Sequence, residues 1–501
     1  CYTNVLNMLD LAGIPILSKD RKKLNQIVVA GGPCAYNPEP LADFVDIFLI
    51  GEGEEEIVEM VNVYKKAKKE SKSKEEFLKE VSKIEGVYIP AFYDVEYNED
   101  LTIKEIRKNK EFAPDKVKKR IIRDFDKVYY PESFVVPSIE IIHDRAVEEV
   151  LRGCIRGCRF CQAGFIYRPT REKSIETIKQ QCNSICKTSG YDEISLSSLS
   201  TTDYSKIEEL LKELSGWGEG EKINISLPSL RVDGFSGEIL KNVKKMRKGS
   251  LTFAPEAGSQ RLRNVINKNV TKEELLKTCK IAFDGGFQNI KLYFMIGLPT
   301  ENDDDIKQIA QLAQSVVDLY YSNENRVKGK SVKITISVAS FIPKPFTPFQ
   351  WEAQATMQEL ERKQLLLKSV IKSKKINYNY HSADTALIEA VFARGDRRLC
   401  KVLYEGFKRG FKFDSWSEFF SLDKWLGLFS DCGIDPGFYA NRKRNTDEIL
   451  PWDIIDCGVN KEFFVKELNR AYDEKTTENC KEKCSNCGAN CFKGGICYER
   501  R

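Results

Sequence analysis

From residue 148 onward, short apolar runs alternate with amphipathic stretches in a regular succession. The runs Glu148–Arg152, Glu193–Ser197, Ile223–Leu227, Ser250–Ala254, Asn289–Ile296 and Val332–Ala339 are predicted strands. Between them, apolar residues recur at helical period in Ile175–Thr188, Lys206–Leu214, Gly237–Met246, Lys272–Asp284 and Asp304–Tyr320. Six strands with intervening helices make a parallel βα repeat. Right-handed crossovers then predict an α/β fold, a partial (β/α)6 barrel of the TIM type over 141–355. In such a barrel the active site lies at the C-terminal ends of the strands.

The pattern is different on either side. Gln26–Ala30 (QIVVA) is a short buried strand ending in Gly31-Gly32, and Asp46–Ile50 (DIFLI) runs through GEGEEE into a helix around Ile57–Val63. This is expected to be a fragment of a doubly wound, Rossmann-like domain over 1–62. Residues 63–140 read as a charged, irregular linker with strand-like pieces at Gly86–Ile89 and Ala91–Tyr97. Residues 356–470 read as mostly helical, including Met357–Lys372 and Ala383–Phe392, and 471–501 as a cysteine-rich tail. The chain starts at Cys1 without a methionine, and YTNVLNMLDLAGIP already reads like the middle of a fold, so a fragment is expected.

Composition narrows the chemistry. The 79 basic and 74 acidic residues leave a net charge of only +5, which gives no polyelectrolyte argument for nucleic acid. The alternating charges of Lys65–Lys74 are expected to be a solvated helix face. No apolar run reaches the roughly 18 residues of a membrane span. Only His143 and His381 are present, which excludes multi-histidine metal sites and disfavours a Ser–His–Asp hydrolase. The sixteen cysteines cluster, which favours metal in a reducing compartment over a secreted disulfide scaffold, and a cytoplasmic location is expected.

Arg152–Gly164, RGCIRGCRFCQAG, places Cys154, Cys158 and Cys161 on a CxxxCxxC spacing, with Gly153 and Gly157 to let the backbone turn. Soft thiolates favour zinc, copper(I) or iron–sulfur clusters. Three ligands without a fourth leave a metal position open, which means chemistry rather than stapling. The loop directly follows the first predicted strand of the repeat, so it falls on the catalytic face. Other strand ends surround that face with hydroxyls, a carboxylate and a guanidinium: Ser197-Ser198, the PSLR run ending in Arg231, PEAGSQR with Glu256, Ser259 and Arg261, and IGLPTE from Ile296 to Glu301. Taken singly, Ser259 is as well explained as a helix cap and Glu301 as a helix-start residue. The proline-stiffened FIPKPFTPFQW (Phe341–Trp351) reads as a rigid cover over core or a substrate lid. In the tail, Cys480, Cys484, Cys487, Cys491 and Cys497 again open with CxxxCxxC, the mark of a structural zinc knuckle or a second iron–sulfur cluster. Cys182, Cys186, Cys279, Cys400, Cys432 and Cys457 are expected to be packing residues.

The sequence resembles the radical S-adenosylmethionine enzymes, specifically the subgroup with a cobalamin-type N-terminal domain. The resemblance runs over nearly the whole chain and is strongest at CIRGCRFC, which matches the family's CxxxCxΦC with Phe160 as the aromatic. It implies that Cys154, Cys158 and Cys161 hold three irons of a 4Fe-4S cluster. The fourth iron chelates S-adenosylmethionine, which is split to a 5′-deoxyadenosyl radical. It further implies cofactor contacts at Ser197-Ser198, in place of a glycine-rich motif, and at Glu256 and Ser259. Arg231 would meet the cofactor carboxylate, and the backbone at Ile296 and Gly297 the adenine. Gly31-Gly32 falls where a cobalamin tail would lie. The subgroup's DxHxxG motif is absent, with no histidine before His143, so cobalamin binding and methyl transfer stay open.

The expected function is therefore reductive cleavage of S-adenosylmethionine, acting on a small molecule, RNA or protein. The expected electron donor is a reductase, flavodoxin or ferredoxin. Cobalamin-dependent methylation and sulfur insertion compete within the enzyme class. A metal-stabilised RNA- or protein-binding factor competes from outside it, and the open three-cysteine site argues against that.

Overall fold

In the computed structural model, which describes residues 2–139, 141–217, 224–226, 250–326 and 329–496, the βα repeat is a system of parallel strands. β1 (Ala146–Glu149), β2 (Glu193–Ser197) and β3 (Asn224–Ser226) form a parallel sheet in the order β3-β2-β1. β4 (Leu251–Glu256), β5 (Asn289–Ile296), β6 (Lys333–Ser340) and β7 (Ile376–Tyr380) form a second parallel sheet in chain order. Leu251, Ile290, Ile334 and Ile376 stand in one row across the four strands. A slip of one residue would move an apolar side chain to the opposite face at each position, so this row fixes the register.

β7 corrects the expected extent of the repeat. Its sequence INYNY lacks the apolar run of the other strands because only Ile376 is buried and the rest of the strand is partly open. The helix Met357–Val370 precedes it, so the βα pattern continues past residue 355. The helices between strands begin where side chains satisfy their first N–H groups. Ser174 caps Ile175–Ser189, Thr271 and Glu274 form a capping box on Lys272–Asp284, and Asn302 and Asp305 form one on Asp303–Ser322. Cys182 and Cys186 lie with Ile178, Ile194 and Leu196 in a buried apolar cluster, and Cys279 is also buried. The predicted helix Gly237–Met246 lies outside the described residues.

The chain divides into two units. The parallel sheets belong to the unit made of 123–341, 358–381 and 466–501, and the other unit contains 1–122, 342–357 and 382–465. In that other unit Val29–Gly31 and Ile47–Leu49 pair in parallel, and Val87–Tyr88 adds antiparallel. The segment read as a linker is more regular than expected. The helix Gly53–Lys69 runs on past residue 62, a second helix Lys74–Val81 starts at a Ser73–Glu76 capping box, and Tyr93–Tyr97 pairs with Ile103–Lys108. Helices Ala383–Arg394, Leu399–Lys408 and Leu422–Cys432 enclose Leu6, Phe44, Cys400 and Cys432 in a second apolar cluster. Phe349 and Trp351 of the proline-rich segment are fully buried in this unit, and Gln350 accepts a hydrogen bond from the Trp452 indole at 2.8 Å, as a core-covering loop requires. Among the described residues no helix is long and apolar enough to cross a membrane.

Glu56 carries a testable cost in this unit. It is fully buried, and neither carboxylate oxygen has a hydrogen-bond partner among the described residues. Burial pushes its pKa from 4.5 up to about 8. The folded state therefore holds the proton more tightly than the unfolded state, so stability is full below pH 4.5 and falls as pH rises towards 8. Glu56→Gln is expected to flatten that decline and to stabilise the protein at pH 8 by on the order of a few kcal/mol, read from urea midpoints across the pH range.

Candidate active site

β1 hands the chain to the cysteine loop through a short brace. The Val150 N–H donates to Ser197 O at the end of β2, and Leu151–Arg152 pairs antiparallel with Arg171–Glu172. The loop between them starts at Gly153, whose φ of +91° is left-handed. A Cβ there would come within 2.7 Å of Tyr167 O and 2.9 Å of the Thr170 Cα. Both the conformation and the space exclude a side chain. Gly153→Ala is expected to destabilise the loop by about 1–3 kcal/mol or more. The check is a lower melting temperature together with a lower yield of reconstituted iron.

Cys158 is buried, and Cys154 and Cys161 are half-buried. The three thiols are electrostatic neighbours, and burial, reinforced by Cys158, raises the Cys154 pKa to about 12 and the Cys161 pKa to about 11. Backbone N–H groups oppose that rise, from Arg156 towards Cys154 and from Gly164 towards Cys161. Such donors favour thiolate, the form that binds metal. Lys268 and Glu256 also face Cys161, and they pair with each other at 3.2 Å. Glu256 sits at a bulge in β4 with φ +67°, a left-handed conformation rare for a residue with a side chain. Backbone strain of this kind collects at functional sites.

The loop is held from outside by charges that were not singled out in the sequence. Arg156 grips Asp203 through two bonds of 2.9 and 2.5 Å. Arg159, fully buried, places Nε and Nη2 on one Glu467 oxygen at 3.1 and 3.0 Å and also donates to the carbonyls of Asn264, Val265 and Lys475. Arg168 donates to Gly164 O and Arg156 O. Asn267 donates to Gly157 O at 3.0 Å and accepts from the Thr477 N–H at 2.8 Å. The signal for Arg156 and Arg159 was their place inside the cysteine motif. Asn267, Asp203 and Glu467 carried none, being ordinary residues far away in the chain.

The other expected site residues divide. Ser197 ends β2, and the Ser198 hydroxyl contacts Thr201 Oγ1 at 2.9 Å and accepts from the Ser200 N–H. Phe160 is half-buried between Arg159 and Cys161. Ser259 is buried and committed: its hydroxyl donates to Asp305 at 2.5 Å and accepts from the Leu262 N–H, which makes it a helix cap. Ile296 O accepts from the Phe341 N–H, and the Gly297 N–H donates to Glu301 at 2.7 Å. Glu301 in turn pairs with the buried Lys363 at 2.8 Å, so it is more than a helix-start residue. His381 joins Val338 and Gln364 through its backbone. Arg231 lies outside the described residues.

In the tail, Cys480 is half-buried, Cys487 is buried, and Cys484 and Cys491 are exposed. Cys497 lies outside the described residues. The Cys480 N–H donates to Ile155 O at 3.0 Å, so the tail lies against the first cysteine loop. Among the described residues no three His, Cys, Asp or Glu side chains are arranged to hold a single metal ion. A cubane cluster asks for a different arrangement, because each thiolate bonds its own iron at a separate corner. The first loop fits that demand: one buried and two half-buried thiols in one turn, N–H donors directed at sulfur, and a lysine alongside.

Comparison with known proteins gives consistent results. A family model described as the radical SAM superfamily matches residues 149–313, and one described as radical SAM proteins, N-terminal, matches residues 1–90. An uncharacterized protein of Methanocaldococcus jannaschii is 30% identical over 430 residues, covering 83% of this chain and 82% of that protein. A putative methylthiotransferase of the same organism is 27% identical over 169 residues, covering 31% of this chain and 36% of its own length. A radical S-adenosylmethionine methyltransferase from Kitasatospora setae, solved with cobalamin and a 4Fe-4S cluster bound, is 11% identical with a TM-score of 0.41, covering 63% of this chain and 55% of that one.

Proposed function

The chain belongs to the radical S-adenosylmethionine superfamily, and on that premise we propose that Cys154, Cys158 and Cys161 ligate three irons of a 4Fe-4S cluster whose fourth iron takes S-adenosylmethionine. When bound, the cluster supplies one electron to the sulfonium, which releases methionine and a 5′-deoxyadenosyl radical that takes hydrogen from the substrate. The chain's own residues position and shield that chemistry. Burial of Cys158 and partial burial of Cys154 and Cys161 limit water at the thiolates, and Arg156, Arg159, Arg168 and Asn267 fix the shape of the loop. Glu256, beside Cys161 and balanced by Lys268, is the carboxylate offered to the cofactor's ammonium. Ile296 and Gly297, at the C-terminal end of β5, offer backbone to the adenine, with Glu301 holding Gly297 in place. Ser197 and Ser198 line the end of β2. Ser259 acts indirectly, by capping the helix that follows Glu256. Arg231 is assigned to the cofactor carboxylate.

The observation that carries the proposal is the gathering of three thiols, one buried and two half-buried, in one turn whose Cys161 neighbours the left-handed Glu256. Anaerobic reconstitution with iron and sulfide tests it. The wild-type chain should give a cluster absorption and, after reduction, an electron paramagnetic resonance signal that the triple C154A/C158A/C161A chain lacks. Retention of the same signals by the triple variant would refute the assignment.

The electron comes from a low-potential donor, a flavodoxin, ferredoxin or reductase, and the substrate is a small molecule, an RNA or a protein. A second reading, attachment of a methylthio group, is supported by the 27% identity with the putative methylthiotransferase and by the cysteine-rich tail beside the loop.

A further inference from the structure

We infer that the tail thiols Cys480, Cys484, Cys487 and Cys491 bind a second iron–sulfur cluster, built directly against the first cysteine loop. Four thiols within twelve positions of chain carry the ligand count. Hydrogen bonds then tie both ends of the tail to both ends of the loop. At the start, the Thr477 N–H meets the Asn267 amide that also holds Gly157 O, the Cys480 N–H meets Ile155 O, and Lys481 bonds Asp203 O and pairs with Glu172 at 3.4 Å. At the far end, the Ile496 N–H donates to Thr170 O at 3.0 Å. Gly495, with φ +74°, lies so close that a Cβ would come within 2.3 Å of Thr170 O. Segments with this many specific ties are placed, not trailing.

Arg168 joins the two thiol sets. It is buried and donates to two carbonyls of the first loop, Gly164 O and Arg156 O. Its guanidinium also bonds the Cys487 thiol and has Cys480 and Cys154 as further neighbours. A guanidinium has five donors and no acceptor, stays charged, and is stable in a buried place only beside negative charge. Thiolates bound to clusters on both sides supply that charge. A structural zinc would draw four thiolates onto one ion and close its shell, whereas Cys480, Cys484 and Cys487 repeat the CxxxCxxC spacing of the first loop. The shared Arg168 then makes each centre respond to the other. That coupling, though not the tail site itself, rests on the cluster assigned to the first loop.

The test uses the full chain, reconstituted anaerobically with iron and sulfide, and measures iron, sulfide and zinc per chain alongside paramagnetic resonance after reduction. Cys484→Ser with Cys491→Ser alters two exposed side chains, so folding is preserved. The double variant should lose about half the iron and one of two resonance signals. Loss of zinc with iron unchanged would overturn the inference, and so would no change in either metal. The triple C154A/C158A/C161A chain separates the two assignments, because the tail signal should persist when the loop signal is gone. Arg168→Lys should shift the reduction potential of both centres, and a shift of neither would contradict their coupling.

Discussion

Replacing Cys158 by alanine is expected to abolish reductive cleavage of S-adenosylmethionine while leaving the chain folded. Cys158 is the most buried of the three thiols and the first electrostatic neighbour of the other two. Its loss removes a direct ligand, so the effect should exceed the roughly 10- to 100-fold cost of losing an outer-shell partner at a metal site. The loop should keep its course, because Arg156–Asp203, Arg159–Glu467 and the Asn267 bridge do not involve the Cys158 side chain. Circular dichroism should therefore be unchanged while reconstituted iron and 5′-deoxyadenosine fall together. Cys279→Ala is the contrasting control. That thiol is buried in the fold and unassigned to metal, so the change should cost some stability and no iron.

The cysteine loop was legible in the sequence because its chemistry is local: three thiols and two glycines within a dozen positions. The βα repeat was legible for the same reason, since its long strands set buried apolar residues at alternate positions, as Ile290, Leu292, Phe294 and Ile296 do in β5. β7 was not, because most of INYNY is partly open and its place is fixed by pairing with β6 rather than by its own composition. The ties around the loop were hidden by distance. Arg159 and Glu467 are separated by 308 positions, and nothing in either residue type announces the other. Ser259 shows the opposite case: its spacing fitted both a cofactor contact and a helix cap, and the hydroxyl is occupied by Asp305 and the Leu262 N–H.

The second large effect is expected at Arg159. The Arg159–Glu467 pair is almost wholly excluded from water, with side-chain exposures of 0% and 3%. Burial disfavours the Arg159 charge and holds its pKa below the usual guanidinium value, and Glu467 offsets part of that. Arg159→Met would leave Glu467 with only the Thr477 hydroxyl and the more distant Arg470, and would leave the carbonyls of Asn264, Val265 and Lys475 without their donor. Removing one partner of a buried pair typically costs about 3–5 kcal/mol. Urea unfolding followed by circular dichroism should show a loss of that size. Arg159→Met combined with Glu467→Leu should recover part of it, because the weakly compensated buried carboxylate is gone. An equal loss in the single and double variants would mean that packing, not the ion pair, is what Arg159 provides.

The most direct test of the central claim is a chemical one. The full chain, reconstituted anaerobically with iron and sulfide, is reduced with dithionite in the presence of S-adenosylmethionine, and the products are separated by chromatography. 5′-Deoxyadenosine and methionine should form in equal amounts, and neither should form with the C154A/C158A/C161A chain. A wild-type chain that carries its cluster and binds S-adenosylmethionine, yet yields no 5′-deoxyadenosine on reduction, would contradict the account.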